Sequence, residues 1–354
     1  MTVQKMLKTK KDPIERQLNE VCFADGDVTG LQRDYISSLE KIQEQVEKKI
    51  VVKREKCDVL GAAYSYLHED RRAERVFDCG TFLEYRAYKG LEKPRLVHAN
   101  FCKDRLCPLC NWRRSRRIFS KLSRVMDLLE AEKYRFLFLT LTVRNCLTED
   151  LQDTLQLMAI GWNKIRRDKR FKGSVAGVFK TLEVTRNVGE NTYHPHFHCV
   201  LAVKSTYFGR GYISHEKWIQ MWKDACSLNY DPVVDIRSCY VQDENGQRQV
   251  SDMKSLKAGL EASKYAVKDI DYLDDSDLSK TAENVQALMR ALRGKRLCEY
   301  SGVFRDAVQK LSISFEDKNL TDDDVIRDDL EYMTVCYSWN CGVYLRRIVF
   351  CSQD

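Results

Sequence analysis

The stretch HPHFHCVLAV, residues 194–203, decides the fold. Along a β-strand successive side chains point to opposite faces. His196 and His198 therefore share one face, while Phe197, Cys199, Leu201 and Val203 form an apolar face suited to a core. The two imidazoles stand about 6–7 Å apart along the strand, at about 3.3 Å per residue. Such a pair can grip one divalent cation if a carboxylate joins it. Glu183, in the preceding predicted strand TLEVTR, is the best-placed acid, because a hairpin turning around residues 187–191 brings it alongside. Three of the chain's six histidines fall within five positions here, which favours a metal role over two incidental surface histidines. His194 falls on the same face and stays open as a ligand, a phosphate contact or neither. Pro195 fits a strand start, where its missing donor costs nothing.

Outward from this strand, FLFLTLTV (136–143), VAGVFKTLEVTR (175–186) and PVVDIRSC (232–239) read as further strands. Residues 148–170, 217–225 and 256–268 have helical spacing. Short connections and several hairpins point to an α+β domain with an antiparallel sheet, not a doubly wound parallel one. Residues 34–56 read as a peripheral helical arm, and WNCGVYLRRIVF (339–350) as a terminal strand. The expected organisation is an N-terminal helical arm (1–75), a cysteine-rich module (76–130), a core domain holding the histidine strand (131–275) and a helical and β region of unassigned role (276–354).

In LEASKYAVKD, Glu261, Tyr265 and Lys268 lie at i, i+4 and i+7, one stripe of a helix. A tyrosine hydroxyl ionises near pH 10, about three units above neutrality, and is a poor nucleophile unless assisted. A metal polarising a phosphate lowers that demand. Glu261 can accept a proton, and Lys268 can supply positive charge to the phosphate. Alone, the stripe would pass as an ordinary amphipathic surface helix; its force comes from combination with the histidines.

CKDRLCPLC supplies Cys102, Cys107 and Cys110, and Cys79 upstream can complete four thiolates, the tetrahedral set a structural zinc prefers. His98 is the competing fourth ligand. No thioredoxin-like pattern surrounds the Cys-x-x-Cys, which argues against a redox dithiol. The remaining cysteines need no role beyond packing. NWRRSRRIFSKLSR follows directly, with Arg113, Arg114, Arg116, Arg117, Lys121 and Arg124. A second basic run contains Lys164, Arg166, Arg167, Lys169, Arg170 and Lys172. Two dense basic runs in a chain of net charge +7 mean an uneven charge distribution, which favours a nucleic-acid partner.

The 354 residues are 44% hydrophobic and 31% charged, ordinary for a globular protein and long enough for about two domains. No apolar run reaches the ~18–20 residues of a membrane helix. The opening, MTVQKMLKTKKDPIERQ, has no apolar stretch behind its lysines, so no secretory leader or membrane partner is expected and the cytoplasm is the expected location. Fourteen cysteines in that compartment do not read as a disulfide framework.

FLTLTVRN, HPHFHCVL and EASKYAVKD, in this order, resemble the three motifs of HUH endonucleases. With DCGTFLEY and ANFCKDRLCPLCNWRRS ahead of them, the chain is more narrowly similar to rolling-circle replication initiator (Rep) proteins of small Gram-positive plasmids. The likeness spans residues 76–269. It implies an HUH-type antiparallel sheet flanked by helices, of RRM or ferredoxin-like kind, with an N-terminal zinc-binding helical module. It also implies a single-tyrosine enzyme that nicks plasmid origin DNA, single-stranded or supercoiled, through a 5′-phosphotyrosine link to Tyr265. Glu261 would activate water for the final hydrolysis. Mg²⁺ or Mn²⁺ would serve catalysis and Zn²⁺ the cysteine module, with a host helicase and DNA polymerase as partners; an oligomer is compatible. The rival readings are an HUH transposase or mobilisation relaxase, and a zinc-containing DNA-binding regulator without catalysis.

Overall fold

The computed structural model describes residues 28–91, 93–242, 248–250, 259, 272–315, 320–322 and 330–350. The chain divides into two compact units: one of Met1–Cys110, Leu273–Ala282 and Lys318–Asp354, the other of Asn111–Tyr272 and Glu283–Asp317.

The first unit opens with α1 (Val28–Gln45), which runs through a π-helical turn (Val46–Ile50) into α2 (Val51–Tyr66), followed by α3 (Asp70–Phe77). This segment is helical, as expected, but it is not a peripheral arm. Ile42, Val46, Ile50, Cys57, Leu60 and Tyr64 recur at helical spacings and are all buried. Their stripe is narrow, so the many charges between them disguise a core-facing helix as a solvated one. The sheet of this unit has the order β11-β10-β1-β2, from β1 (Phe82–Tyr88), β2 (Arg95–Ala99), β10 (Tyr332–Asn340) and β11 (Val343–Phe350). All pairings are antiparallel. The last two strands turn on Cys341 and Gly342, both with positive φ (47° and 90°), the backbone that a two-residue hairpin turn demands.

The second unit is built on a five-stranded antiparallel sheet of order β6-β3-β5-β4-β9. Its strands are β3 (Arg135–Thr142), β4 (Val175–Asn187), β5 (Thr192–Val203), β6 (Val234–Ser238) and β9 (Cys298–Gly302). One face packs against α4 (Pro108–Ala131) and α9 (Val303–Lys310), through Ile118, Leu122, Val125, Phe136, Phe179, Val200 and Phe304. The other face packs against α5 (Leu151–Ile165) and α7 (His215–Cys226): Phe197 meets Trp162 and Trp222, each at a ring separation of 6.2 Å. Each such fully buried large side chain contributes about 1.5–3 kcal/mol of transfer free energy. A Cβ on Gly161 would stand 2.3 Å from the Cys226 sulfur, so glycine is what lets α5 and α7 approach.

The helix expected over residues 148–170 is two helices, α5 and α6 (Lys169–Ser174). Asp168 makes the break by accepting a hydrogen bond from the Arg170 backbone N–H at 2.7 Å, an N-cap that starts a new helix. A short ribbon of β7 (Tyr240–Gln242) and β8 (Arg248–Val250) follows β6, and α8 (Leu278–Ala291) precedes β9. The helix expected over 256–268 lies outside the described residues, apart from Gly259. The architecture is α+β, with antiparallel sheets flanked by helices. Among the described residues no helix is long and apolar enough to cross a membrane.

Candidate functional site

The hairpin of β4 and β5 places the acid and the imidazoles. Its tip is stabilised by Asn187, whose side-chain oxygen accepts from the N–H groups of Gly189 and Glu190. Register follows from that turn: Asn187 opposes Thr192, and four residues further in Glu183 opposes His196 while Thr181 opposes His198. Alternation then puts Glu183, His196 and His198 on one face. All three are buried, and one carboxylate oxygen of Glu183 lies 3.1 Å from His196 Nε2 and 3.0 Å from His198 Nε2.

The far ring nitrogens are occupied too. His196 Nδ1 donates to the His194 carbonyl at 3.1 Å, and His198 Nδ1 lies 3.3 Å from Thr140 Oγ1 on β3. A hydrogen bond at Nδ1 fixes the tautomer that leaves Nε2 as the ligand atom. Phe138, two residues before Thr140 on the same strand, stacks on His198 at 5.5 Å and holds its ring plane. At the end of β3, Trp222 Nε1 donates to the Thr142 carbonyl at 2.7 Å, tying that end of the strand to α7.

The spacing of this trio suits a cation. For octahedral coordination at about 2.1 Å, neighbouring ligand atoms are about 3.0 Å apart, against 3.0 and 3.1 Å here. Burial pushes the Glu183 carboxyl up, but hydrogen bonds and charge from His196 and His198 outweigh it and hold the group well below the usual carboxylate range. The site therefore keeps a full negative charge. His194 is drawn down, by burial first and then by the neighbouring His196, and its ring stands 5.3 Å from that of His196. It is not one of the three residues whose ligand atoms converge.

A second group forms in the first unit, where Cys79, Cys102, Cys107 and Cys110 are buried together. Sulfur separations are 3.5 Å (Cys79–Cys107), 3.6 Å (Cys79–Cys110) and 3.7 Å (Cys102–Cys110). Tetrahedral zinc with bonds of about 2.3 Å sets its sulfurs about 3.8 Å apart. Backbone N–H groups face the sulfurs: Cys102 to Cys79, Lys103 to Cys110, Asp104 to Cys102 and Cys110 to Cys107, at 3.3–3.5 Å. Lys103 adopts φ +59° to turn its N–H inward. These donors stabilise thiolates, the form that binds metal. His98, the competing fourth ligand, is exposed and outside the group. Cys57, read in the sequence as mere packing, brings its sulfur to 3.5 Å from Cys107. Nothing in the spacing of a residue on α2 signals that approach.

Of the basic residues, Arg113 and Arg114 are buried on α4, with Arg114 donating to Asn111 Oδ1 at 2.9 Å. Arg117 and Lys121 are half-buried, and Lys121 donates to the Ser314 carbonyl at 2.6 Å. Arg116, Arg166, Arg167, Lys169 and Arg170 are exposed. Tyr265, Glu261 and Lys268 lie outside the described residues.

An antiparallel sheet presenting two imidazoles and a carboxylate, in a chain that also clusters four thiols, defines an α+β protein with two groups able to bind metal ions. The chain belongs to the replication protein family, Rep_1, whose model matches residues 93–343, from before Cys102 through the histidine strand to beyond Tyr265. It is 35% identical to a Protein rep of Bacillus amyloliquefaciens over 298 residues, covering 82% of this chain and 85% of the relative. It is 37% identical to a Protein rep of a Bacillus species over 252 residues, covering 69% and 81%. It is also 37% identical to a Protein rep of Streptococcus pneumoniae serotype 2 over 248 residues, covering 68% and 72%. No solved structure matches significantly. The resemblance to plasmid rolling-circle Rep proteins is borne out, and the chain's role is that of a replication initiator.

Proposed function

We propose that the protein nicks plasmid origin DNA and transfers the strand to Tyr265, so starting rolling-circle replication. The observation that carries the reading is the convergence of Glu183, His196 and His198 on one face of the sheet, with both Nδ1 atoms engaged elsewhere. A hard divalent cation, Mg²⁺ or Mn²⁺, held by these three residues would withdraw charge from the oxygens of the scissile phosphate. The Tyr265 hydroxyl attacks phosphorus and gives its proton to solvent. The bond from phosphorus to the 3′-oxygen breaks, leaving a 3′-hydroxyl for a DNA polymerase and a 5′-phosphotyrosine. Lys268 offsets the phosphate charge. After one round Glu261 activates water, so that the second cleavage releases the protein. Arg116, Arg166, Arg167, Lys169 and Arg170 are free to hold DNA backbone from solvent-facing positions. The buried Arg113 and Arg114, with Arg117 and Lys121, would act by shaping α4. A host helicase would open the duplex ahead of the polymerase.

Cys79, Cys102, Cys107 and Cys110 hold a structural Zn²⁺ in this account, supported by their sulfur spacing and the N–H donors around them. The test is incubation with supercoiled origin plasmid and Mg²⁺ or Mn²⁺. Nicked circles are expected from the wild type and none from His196→Ala, His198→Ala or Tyr265→Phe. Nicking by Tyr265→Phe at the wild-type rate would remove the nucleophile assignment, and absence of nicking in every metal would leave a DNA-binding regulator.

A further inference from the structure

A cavity of about 690 Å³ opens in the second unit beside the edge strand β9. Trp162 and Arg166 of α5, Lys180 of β4 and Arg296, Glu299 and Arg305 around β9 line it. The lining wraps the edge of the sheet: Lys180 and Glu299 come from the face turned away from the histidines, Tyr300 from the face that packs against α9, together with Val308 of that helix. Lys180 sits between Phe179 and Thr181 in β4 and opposes Cys199, so it shares a face with Phe197 and not with His196 or His198. Four cations face this space and one carboxylate, Glu299, which Lys180 already approaches.

Lys180 is 4% exposed. Its ammonium lies 3.9 Å from the centre of the Phe197 ring and 5.6 Å from that of Trp162. Glu299 stands 3.5 Å away, beyond the ~2.7–2.9 Å of a close charge-assisted bond. The ammonium therefore keeps donor capacity in a dry setting. Burial pulls its proton affinity down, with Glu299 pulling the other way. Arg166, Arg296 and Arg305 are exposed at the rim, and none has an acidic partner among the described residues. A guanidinium presents a planar fork of donors that matches phosphate oxygens, and the cavity is of small-ligand size, within about 300–1,000 Å³.

We propose that this cavity, at the β9 edge of the sheet, is a second binding site for the phosphate of a nucleotide, carried either by a single-stranded DNA segment or by a free nucleoside triphosphate. Arg296 and Arg305 grip the phosphate oxygens from the rim, and Lys180 adds positive charge from the other side of β9. The site stands on its own residues and does not depend on nicking by Tyr265.

The experiment measures fluorescence anisotropy of a labelled oligothymidylate and, separately, of a labelled ATP, with the full chain in EDTA so that no cleavage occurs. The proteins are the wild type, the double variant Arg296→Ala/Arg305→Ala and, as a charge control, Arg210→Ala, an exposed arginine that does not line the cavity. If a strand occupies the cavity, the double variant binds oligothymidylate about tenfold or more weakly, as loss of two charge-assisted contacts implies. Its log–log salt slope also falls by up to about 1.4, at about 0.7 per single-strand phosphate. If a free nucleotide occupies it, ATP affinity falls and oligothymidylate affinity does not. The double substitution to lysine should recover most of the slope, which a folding defect would not allow. Unchanged affinity for both probes, or a loss no greater than that of Arg210→Ala, overturns the proposal.

Discussion

Replacing Thr140 by valine tests whether the histidine centre depends on its neighbouring strand. Valine keeps the β-branched shape that suits a strand and removes only the oxygen that lies 3.3 Å from His198 Nδ1. Without that acceptor His198 is free to carry its proton on Nε2, the nitrogen that faces Glu183 at 3.0 Å. Loss of an outer hydrogen bond to a metal-binding histidine typically weakens metal affinity about 10–100-fold, or about 1.4–2.7 kcal/mol. The 3.3 Å separation is long for such a bond, which places the expected loss near tenfold. Isothermal titration of the full chain with Mn²⁺ reads it directly. Thr142→Val is the matched control, because the Thr142 hydroxyl donates to the Val233 carbonyl and not to a histidine. A tenfold loss confined to Thr140→Val is expected. Equal affinities in both variants and the wild type would refute the tautomer argument.

Three further outcomes follow from the two groups able to hold a metal ion and from Glu261. Cys107→Ser should lower the zinc content of purified protein and destabilise the first unit, whereas Cys199→Ser should leave zinc unchanged, since the Cys199 thiol is buried on the sheet and pushed up to about 12 by burial; equal zinc in Cys107→Ser and wild type would exclude the cluster. In EDTA, the low proton affinity of Glu183 contributes stability that is present above the unfolded value of about 4.3 and lost as pH falls toward the folded one. The urea midpoints of wild type and Glu183→Gln should accordingly converge as pH drops from about 6 to about 3, and a constant gap would mean that the charge of Glu183 is not what stabilises the site. Glu261→Ala should spare the first cleavage of origin DNA and impair the terminating one, and equal loss of both steps would contradict a separate role in hydrolysis.

The parts of the site legible in the sequence are those set by local rules. Strand alternation puts His196 and His198 on one face and a short hairpin brings Glu183 alongside them; that Glu183 stands directly opposite His196 follows from the strand register. What lay beyond reach depends on pairing between distant segments. Thr140 meets His198 because β3 lies beside β5, and no local pattern specifies that neighbour or its register. The four-stranded sheet joins residues 82–99 to residues 332–350, a pairing that periodicity cannot disclose. Cys57 reaches Cys107 from a helix whose charges hide its buried stripe. Arg113 and Arg114 belong to a basic run that reads as a nucleic-acid surface, yet both fall on the buried side of α4. Lys180 was invisible as a cation of interest for the converse reason: a lone lysine in an apolar strand carries no signal until the cavity beside it is seen.

The central claim is that the phenol of Tyr265 and the imidazoles of His196 and His198 act on one phosphate. Cleaving an oligonucleotide labelled 3′ to the nick site and sequencing the peptide left attached to it tests this most directly. The account predicts a single adduct on Tyr265, absent when His196 and His198 are both replaced by alanine; an adduct on any other residue, or one that forms equally well without the two histidines, would contradict it.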